Sequence, residues 1–187
     1  MIYTVIDTET SGLNHMSDDI LQFAYLTFDS NGDVIRGNAF YLWEDDYQWT
    51  EGAYRVHGLS REFLRDLPTE EMNKKYQEMY VVMSRANLIG YNSNNFDIPF
   101  VRSFMTRHSV QPQDPSSTID VMEIAKRVFG KRMKLTALCE RLGITPAHIE
   151  MMTRIFFNKE NTSAHDATYD VTATFLCYDH FRRNGNV

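Results

Sequence analysis

The chain has 187 residues, 43% hydrophobic and 24% charged, with a formal net charge of −6 at pH 7. That composition excludes a disordered, fibrous or membrane-spanning chain, and the length suits one domain over residues 1–187 with a sizeable core. The acidity argues against holding nucleic acid by bulk surface charge, and the absence of a basic segment ahead of an apolar stretch at the N-terminus gives a cytoplasmic expectation.

Ile2 to Ile6 is short, apolar and β-branched, which predicts a central strand, and two carboxylates, Asp7 and Glu9, follow it at once. Ile20 to Phe28 predicts a second strand. The Asn31-Gly32 pair between apolar runs predicts a hairpin into a third, Val34 to Leu42. Residues 43–58 read as an irregular, aromatic-rich connection. From Thr69 the period changes: Met72, Tyr76, Met79, Tyr80 and Met83 recur at helical spacing, with Glu70 and Glu71 placed for the helix dipole. Asn87 to Tyr91 predicts a short fourth strand and Phe96 to Arg107 a helix. Ser109 to Ser117 reads as a surface loop, and Ser117 to Ile119 as a fifth strand. Two helices follow, one carrying Ile124, Ala125 and Val128, the other Leu135, Leu138, Cys139 and Leu142. The last helix is expected to start near Ser163, where Ser163 and Asp166 fit a capping box, and to end at Arg182-Arg183-Asn184-Gly185. Cys139 and Cys177 sit in apolar helical settings and read as reduced core thiols. A meander followed by alternating helix and strand predicts an α/β fold, with one mixed five-stranded sheet and helices on both faces.

Residues two apart on a strand share a face, so Asp7 and Glu9 project together if the first strand runs that far. Ligands of open α/β sheets bind beyond the carboxyl ends of strands, where this pair stands. Parallel carboxylates raise each other's pKa unless a cation lies between them, and a hard divalent cation taking oxygen ligands removes the conflict. Alone, such a pair is more often a solvated turn than a metal site. Asp97 opens a helix among the apolar residues Phe96, Ile98, Phe100 and Val101, either as a dipole partner or as a ligand facing the sheet end. Asp170 lies mid-helix beside Ala167, Ala173, Thr174 and Cys177, small residues that allow close approach to a sheet. Asp166 is its i,i+4 neighbour, whereas His165 lies roughly 140° away around an ideal helix. His165 therefore faces the same site only if it precedes the regular helix, which spacing leaves open.

Together these segments resemble the DEDDh 3′–5′ exonucleases, the superfamily of the DNA polymerase III proofreading subunit and RNase T. Asp7 to Gly12 matches D-x-E-T-[ST]-G; Asn92, Phe96 and Asp97 match an Asn followed shortly by Phe-Asp; His165, Ala167 and Asp170 match H-x-A-x-x-D. Weaker similarities fill the gaps at 55–60, 119–127 and 134–144. Many members read His-Asn-x-x-Phe-Asp; the longer Tyr91-Asn92 form here looks like the exonuclease I-type branch, which degrades single-stranded DNA. The resemblance implies an RNase H-like fold and two divalent cations, Mg²⁺ or Mn²⁺, held by Asp7, Glu9, Asp97 and Asp170 around the terminal phosphodiester. It implies His165 as the general base and a 5′ mononucleotide as product. An imidazole, with an ordinary pKa of about 6.5, suits a base working near neutrality.

The resemblance also makes Thr10 and Leu13 candidates for lining the terminal-nucleotide site and Asn92 a candidate contact to the substrate strand. Phe96 and Phe100 are candidate stacking residues if they are not core, Asp120 reads as structural, and His57 stands open between packing and function. The run Lys126 to Lys134, with five Lys or Arg in nine positions, is a solvated face or a guide for the phosphate backbone. The expected partner is a nucleic-acid 3′ end, with single-stranded DNA favoured and RNA the alternative, together with a polymerase or other replication or repair protein. Residues 43–58, with Trp43 and Trp49, are one candidate surface for that protein if they are not buried. The rival reading is a catalytically silent nucleic-acid-binding or interaction module on the same fold.

Overall fold

Among the described residues five strands pair in the order β3-β2-β1-β4-β5. In this computed structural model, which describes residues 1–68, 72–85, 87–111 and 114–187, β1 (Ile2–Thr10), β2 (Ile20–Asp29) and β3 (Val34–Tyr41) form an antiparallel meander. Gly32, at φ +95°, makes the tight turn of the predicted hairpin. β4 (Asn87–Gly90) pairs parallel with β1, and β5 (Ser117–Asp120) pairs parallel with β4. The mixed five-stranded sheet is the one expected. Glu70 and Glu71, and residues 112–113 of the predicted loop, lie outside the described residues.

The helices are α1 (Glu51–His57), α2 (Arg61–Arg65), α3 (Met72–Arg85), α4 (Asp97–Arg107), α5 (Val121–Phe129), α6 (Leu135–Arg141), α7 (Pro146–Phe157) and α8 (Ala167–Arg183). Strand alternation divides their packing. Val5 joins the core formed with α5 to α8, and Ile6 joins the core formed with α3 and α4, so helices cover both faces. Phe28 and Phe175 on one side, and Phe23, Phe100 and Phe104 on the other, anchor these cores. Burying each such ring contributes on the order of 2–3 kcal/mol. Among the described residues no helix is long and apolar enough to cross a membrane.

Several boundaries move. β1 continues beyond Ile6 to Thr10, with a register shift between Glu9 and Thr10. The 43–58 connection is irregular only to Thr50, whose hydroxyl accepts from the Ala53 N–H and starts α1. α1 buries no residue, so it has no apolar periodicity to detect. Trp43 is 7% exposed within a core, whereas Trp49 is half-buried against that core and its indole N–H donates to the Leu59 carbonyl. α7 was also absent from the sequence reading, although Thr145-Pro146 carries a helix-start signal. The last helix starts at Ala167 rather than near Ser163, because Asp166 itself is the N-cap and accepts from the Thr168 N–H. Cys139 and Cys177 are buried free thiols with sulfurs 3.6 Å apart.

Candidate active site

The longer β1 carries both of its carboxylates on one face. Asp7 and Glu9 stand opposite Ala24 and Gln22 of β2 and share their face with Val5, which turns towards α8. Thr8 points to the other side, where α4 packs. Its backbone N–H and its hydroxyl both donate to Asp97 Oδ1, at 3.0 and 2.7 Å. Asp97, the first residue of α4 and 3% exposed, is therefore tied to the strand rather than serving only the helix dipole. Nothing in the Thr8 position of the sequence signalled that contact.

From the opposite layer, α8 brings Asp170 in. Ala167 and Ala173 are fully or almost fully buried, and their small side chains let the helix approach the sheet closely. His165 precedes the regular helix in a left-handed conformation, φ +69°, and its backbone N–H donates to Asp170 Oδ2 at 3.1 Å. This turn removes the helical separation between the two side chains. One ligand atom each of Glu9, His165 and Asp170 lies within 4.8 Å of the others.

The carboxyls strain against each other. Burial, and then the charges of Asp97, Asp170 and Glu9, push Asp7 well above the ordinary carboxylate range. Burial, and then Asp170 and Asp97, push Glu9 up to about 9. Burial raises Asp170 to about 7, against the opposing hydrogen bond from His165. Burial likewise raises Asp97 to about 6, although the bonds from Thr8 pull the other way. Without a compensating cation, these groups hold protons that exposed carboxyls release.

All eight sequence-predicted site residues line one cavity of about 670 Å³: Asp7, Glu9, Thr10, Leu13, Asn92, Asp97, His165 and Asp170. The Thr10 hydroxyl donates to the Gly12 carbonyl, leaving Leu13 86% exposed at the rim. Asn92 holds a left-handed turn at φ +59°. Phe96 lines the cavity, but Phe100 is fully buried, so a base-stacking role for Phe100 falls to core packing. Val56, His57 and Tyr91 also line it; only for His57 had the sequence left a functional role open. His57 Nδ1 accepts from the Leu59 N–H at 3.0 Å, and burial lowers its pKa, so a neutral imidazole faces the cavity. The basic run is partly paired: Lys126 and Arg132 both meet Glu123, while Lys131 and Lys134 are exposed.

Asp120 is structural, as expected. Its Oδ1 accepts from the Asn92 and Met122 N–H groups at 2.9 and 3.0 Å, and its Oδ2 from Asn94 at 3.4 Å, pinning the turn beneath Asn92 while capping α5. Asp120→Ala is expected to cost roughly 2–4 kcal/mol, because it strands several partly buried donors and a helix cap. A Tm unchanged by the substitution, measured by thermal unfolding, would contradict that role.

Comparison with known proteins places this geometry in context. The sequence model of the exonuclease family (RNase T) matches residues 4–178. The DNA polymerase III subunit epsilon of Buchnera aphidicola is 26% identical over 160 residues, covering 81% of this chain and 65% of that protein. Exodeoxyribonuclease I of the same organism is 27% identical over 178 residues, covering 90% of this chain and 43% of that protein. The chain thus spans less than two thirds of the length of either relative. The crystal structure of E. coli exonuclease I in complex with a dA16 oligonucleotide superposes with a TM-score of 0.73 at 22% identity, over 97% of this chain and 41% of that one. The likeness identifies the fold as RNase H-like.

Proposed function

The chain belongs to the exonuclease family, and on that premise we propose that it is a metal-dependent 3′–5′ exonuclease acting as one domain over residues 1–187. The substrate is the 3′ end of single-stranded DNA, and the product is a 5′ mononucleotide. The observation that carries this reading is the convergence of Asp7, Glu9, Asp97, Asp170 and His165 in a single cavity.

The donor set fits a hard divalent cation. The four carboxylates supply only oxygen ligands, and the upward pKa shifts register chiefly the cost of burying their negative charge, which cations would offset. Asp7, Glu9, Asp97 and Asp170 would hold two such ions, Mg²⁺ or Mn²⁺. When bound, these ions supply Lewis acidity at the phosphate and acidify the attacking water. His165, exposed at the cavity and held against Asp170, accepts the proton of that water. Thr10 and Leu13 seat the terminal nucleotide, and Asn92 contacts the strand behind it. Exposed Lys131 and Lys134 offset the acidity of the chain along the phosphate backbone.

DNA is favoured by the Tyr91-Asn92 form of the second motif and by the exodeoxyribonuclease relatives. The polymerase III relatives support a replication or repair partner, and a cytoplasmic location is part of this reading. An RNase T-type action on RNA remains the alternative substrate reading. The test compares matched DNA and RNA oligonucleotides, each with and without a phosphorothioate at the last 3′ linkage, and identifies products by chromatography. Release of nucleoside 5′-monophosphates, faster from DNA and slowed by the 3′ modification, is expected. Nucleoside 3′-monophosphates, or insensitivity to the 3′ modification, would sink the proposal.

A further inference from the structure

The turn that presents His165 is tied down by contacts that the proposed chemistry does not use. Gln22, 1% exposed, stands directly opposite Glu9 in the β1–β2 register. Its Oε1 accepts from the Ala167 N–H at 3.2 Å, and its Nε2 donates to Asp166 Oδ1 at 3.4 Å. Asp166 Oδ1 also accepts from the Thr168 N–H and hydroxyl. The other oxygen, Oδ2, accepts from Lys159 Nζ at 2.6 Å, and Lys159 reaches on to the Tyr41 hydroxyl at 3.1 Å.

We infer that Gln22, Asp166 and Lys159 form a latch that positions His165 against Glu9 and Asp170. This inference rests on the reading of His165 as the proton acceptor. Helix capping explains the Asp166 Oδ1 contacts to Thr168, but neither the Lys159 pair nor the Gln22 bridge. Left-handed backbone is unfavourable for a residue bearing a Cβ, so neighbours must hold His165 in it. The Lys159–Asp166 pair is 30% and 23% exposed, and ion pairs that meet solvent add little to global stability. Its value lies in geometry. Gln22 touches the start of α8 while paired across from Glu9, so it sets the spacing between the β1 carboxylates and the His165 turn. Proton transfer is sensitive to displacements of about 1 Å.

Asp166→Asn keeps an oxygen for the cap but weakens the pairing, Lys159→Met removes the pairing, and Lys159→Arg preserves the charge. The first two are expected to lower kcat by about 10-fold or more, with KM and Tm close to wild type. Lys159→Arg should recover most of the rate. Amide hydrogen exchange over residues 163–167 should quicken in Lys159→Met and return towards wild type in Lys159→Arg. An unchanged kcat and exchange rate in Lys159→Met and Asp166→Asn would overturn the latch, as would a rate loss that follows Tm. A wild-type protein that degrades no oligonucleotide removes the functional reading instead, and the exchange comparison then decides the latch by itself.

Discussion

His165→Asn is expected to lose about 10²–10⁴-fold in kcat, the contribution typical of a positioned general base, while KM stays near wild type. Asparagine is the informative replacement because His165 sits at φ +69°, a region asparagine tolerates and alanine does not. The side chain is exposed, and the turn is held through the His165 backbone N–H, Gln22 and Asp166, so the fold should survive the change. Single-turnover rates with a 5′-labelled single-stranded oligonucleotide separate the chemical step from binding. A mutant retaining a wild-type rate would remove His165 from the chemistry and leave the carboxylates to act without it.

The second large effect concerns stability. Glu9 moves from 4.5 to about 9 and Asp170 from 3.8 to about 7 on folding, and Asp7 is raised as well. The native state therefore binds more protons than the unfolded state between the ordinary and the raised values. With acid pKa values raised by folding, stability is fully present below pH 4 and is lost as pH rises through the folded values. His57 and His108, both lowered by burial from 6.5, act in the opposite sense at lower pH, and Cys139, lowered from 9.0 by its hydrogen bond with Cys177, opposes the fall near pH 9, so the carboxyl contribution between pH 7 and 9 is read from the part of the Tm that metal restores. Each proton still held across that window costs about 2–3 kcal/mol of stability by pH 9. In EDTA the Tm is expected to fall from pH 7 to 9, and excess Mn²⁺ should restore it most at the alkaline end. A metal-free Tm that is flat or rises over that window, and that Mn²⁺ does not raise, would show that burial does not hold a proton on Glu9 into the alkaline range.

The carboxylate pair was legible in the sequence because strand alternation alone puts Asp7 and Glu9 on one face. Asp97 was half legible: its helix-start position was visible, but its two bonds from Thr8 join residues 89 apart in the chain. His165 was illegible by periodicity because its place depends on a single left-handed residue before α8. The resemblance to a known family supplied what spacing could not. The helices α1 and α2 escaped because they bury no residue and one residue respectively, leaving no periodic apolar face to read. Gln22 and Lys159 carried no signal of their own, since the Gln22–Asp166 contact spans 144 positions and arises only when β2 and α8 pack together.

The central claim, that these carboxylates serve metal-dependent removal of nucleotides from a 3′ end, meets its most direct test in a denaturing-gel time course on 5′-labelled single-stranded DNA. The wild-type protein would be run in Mg²⁺, in Mn²⁺ and in EDTA, beside the Asp7→Ala protein in Mg²⁺. A ladder that shortens stepwise in Mg²⁺, halts in EDTA and is absent for Asp7→Ala is the predicted result. Full-length DNA persisting in both Mg²⁺ and Mn²⁺ with the wild-type protein would contradict it and favour a binding module that keeps the site without its chemistry.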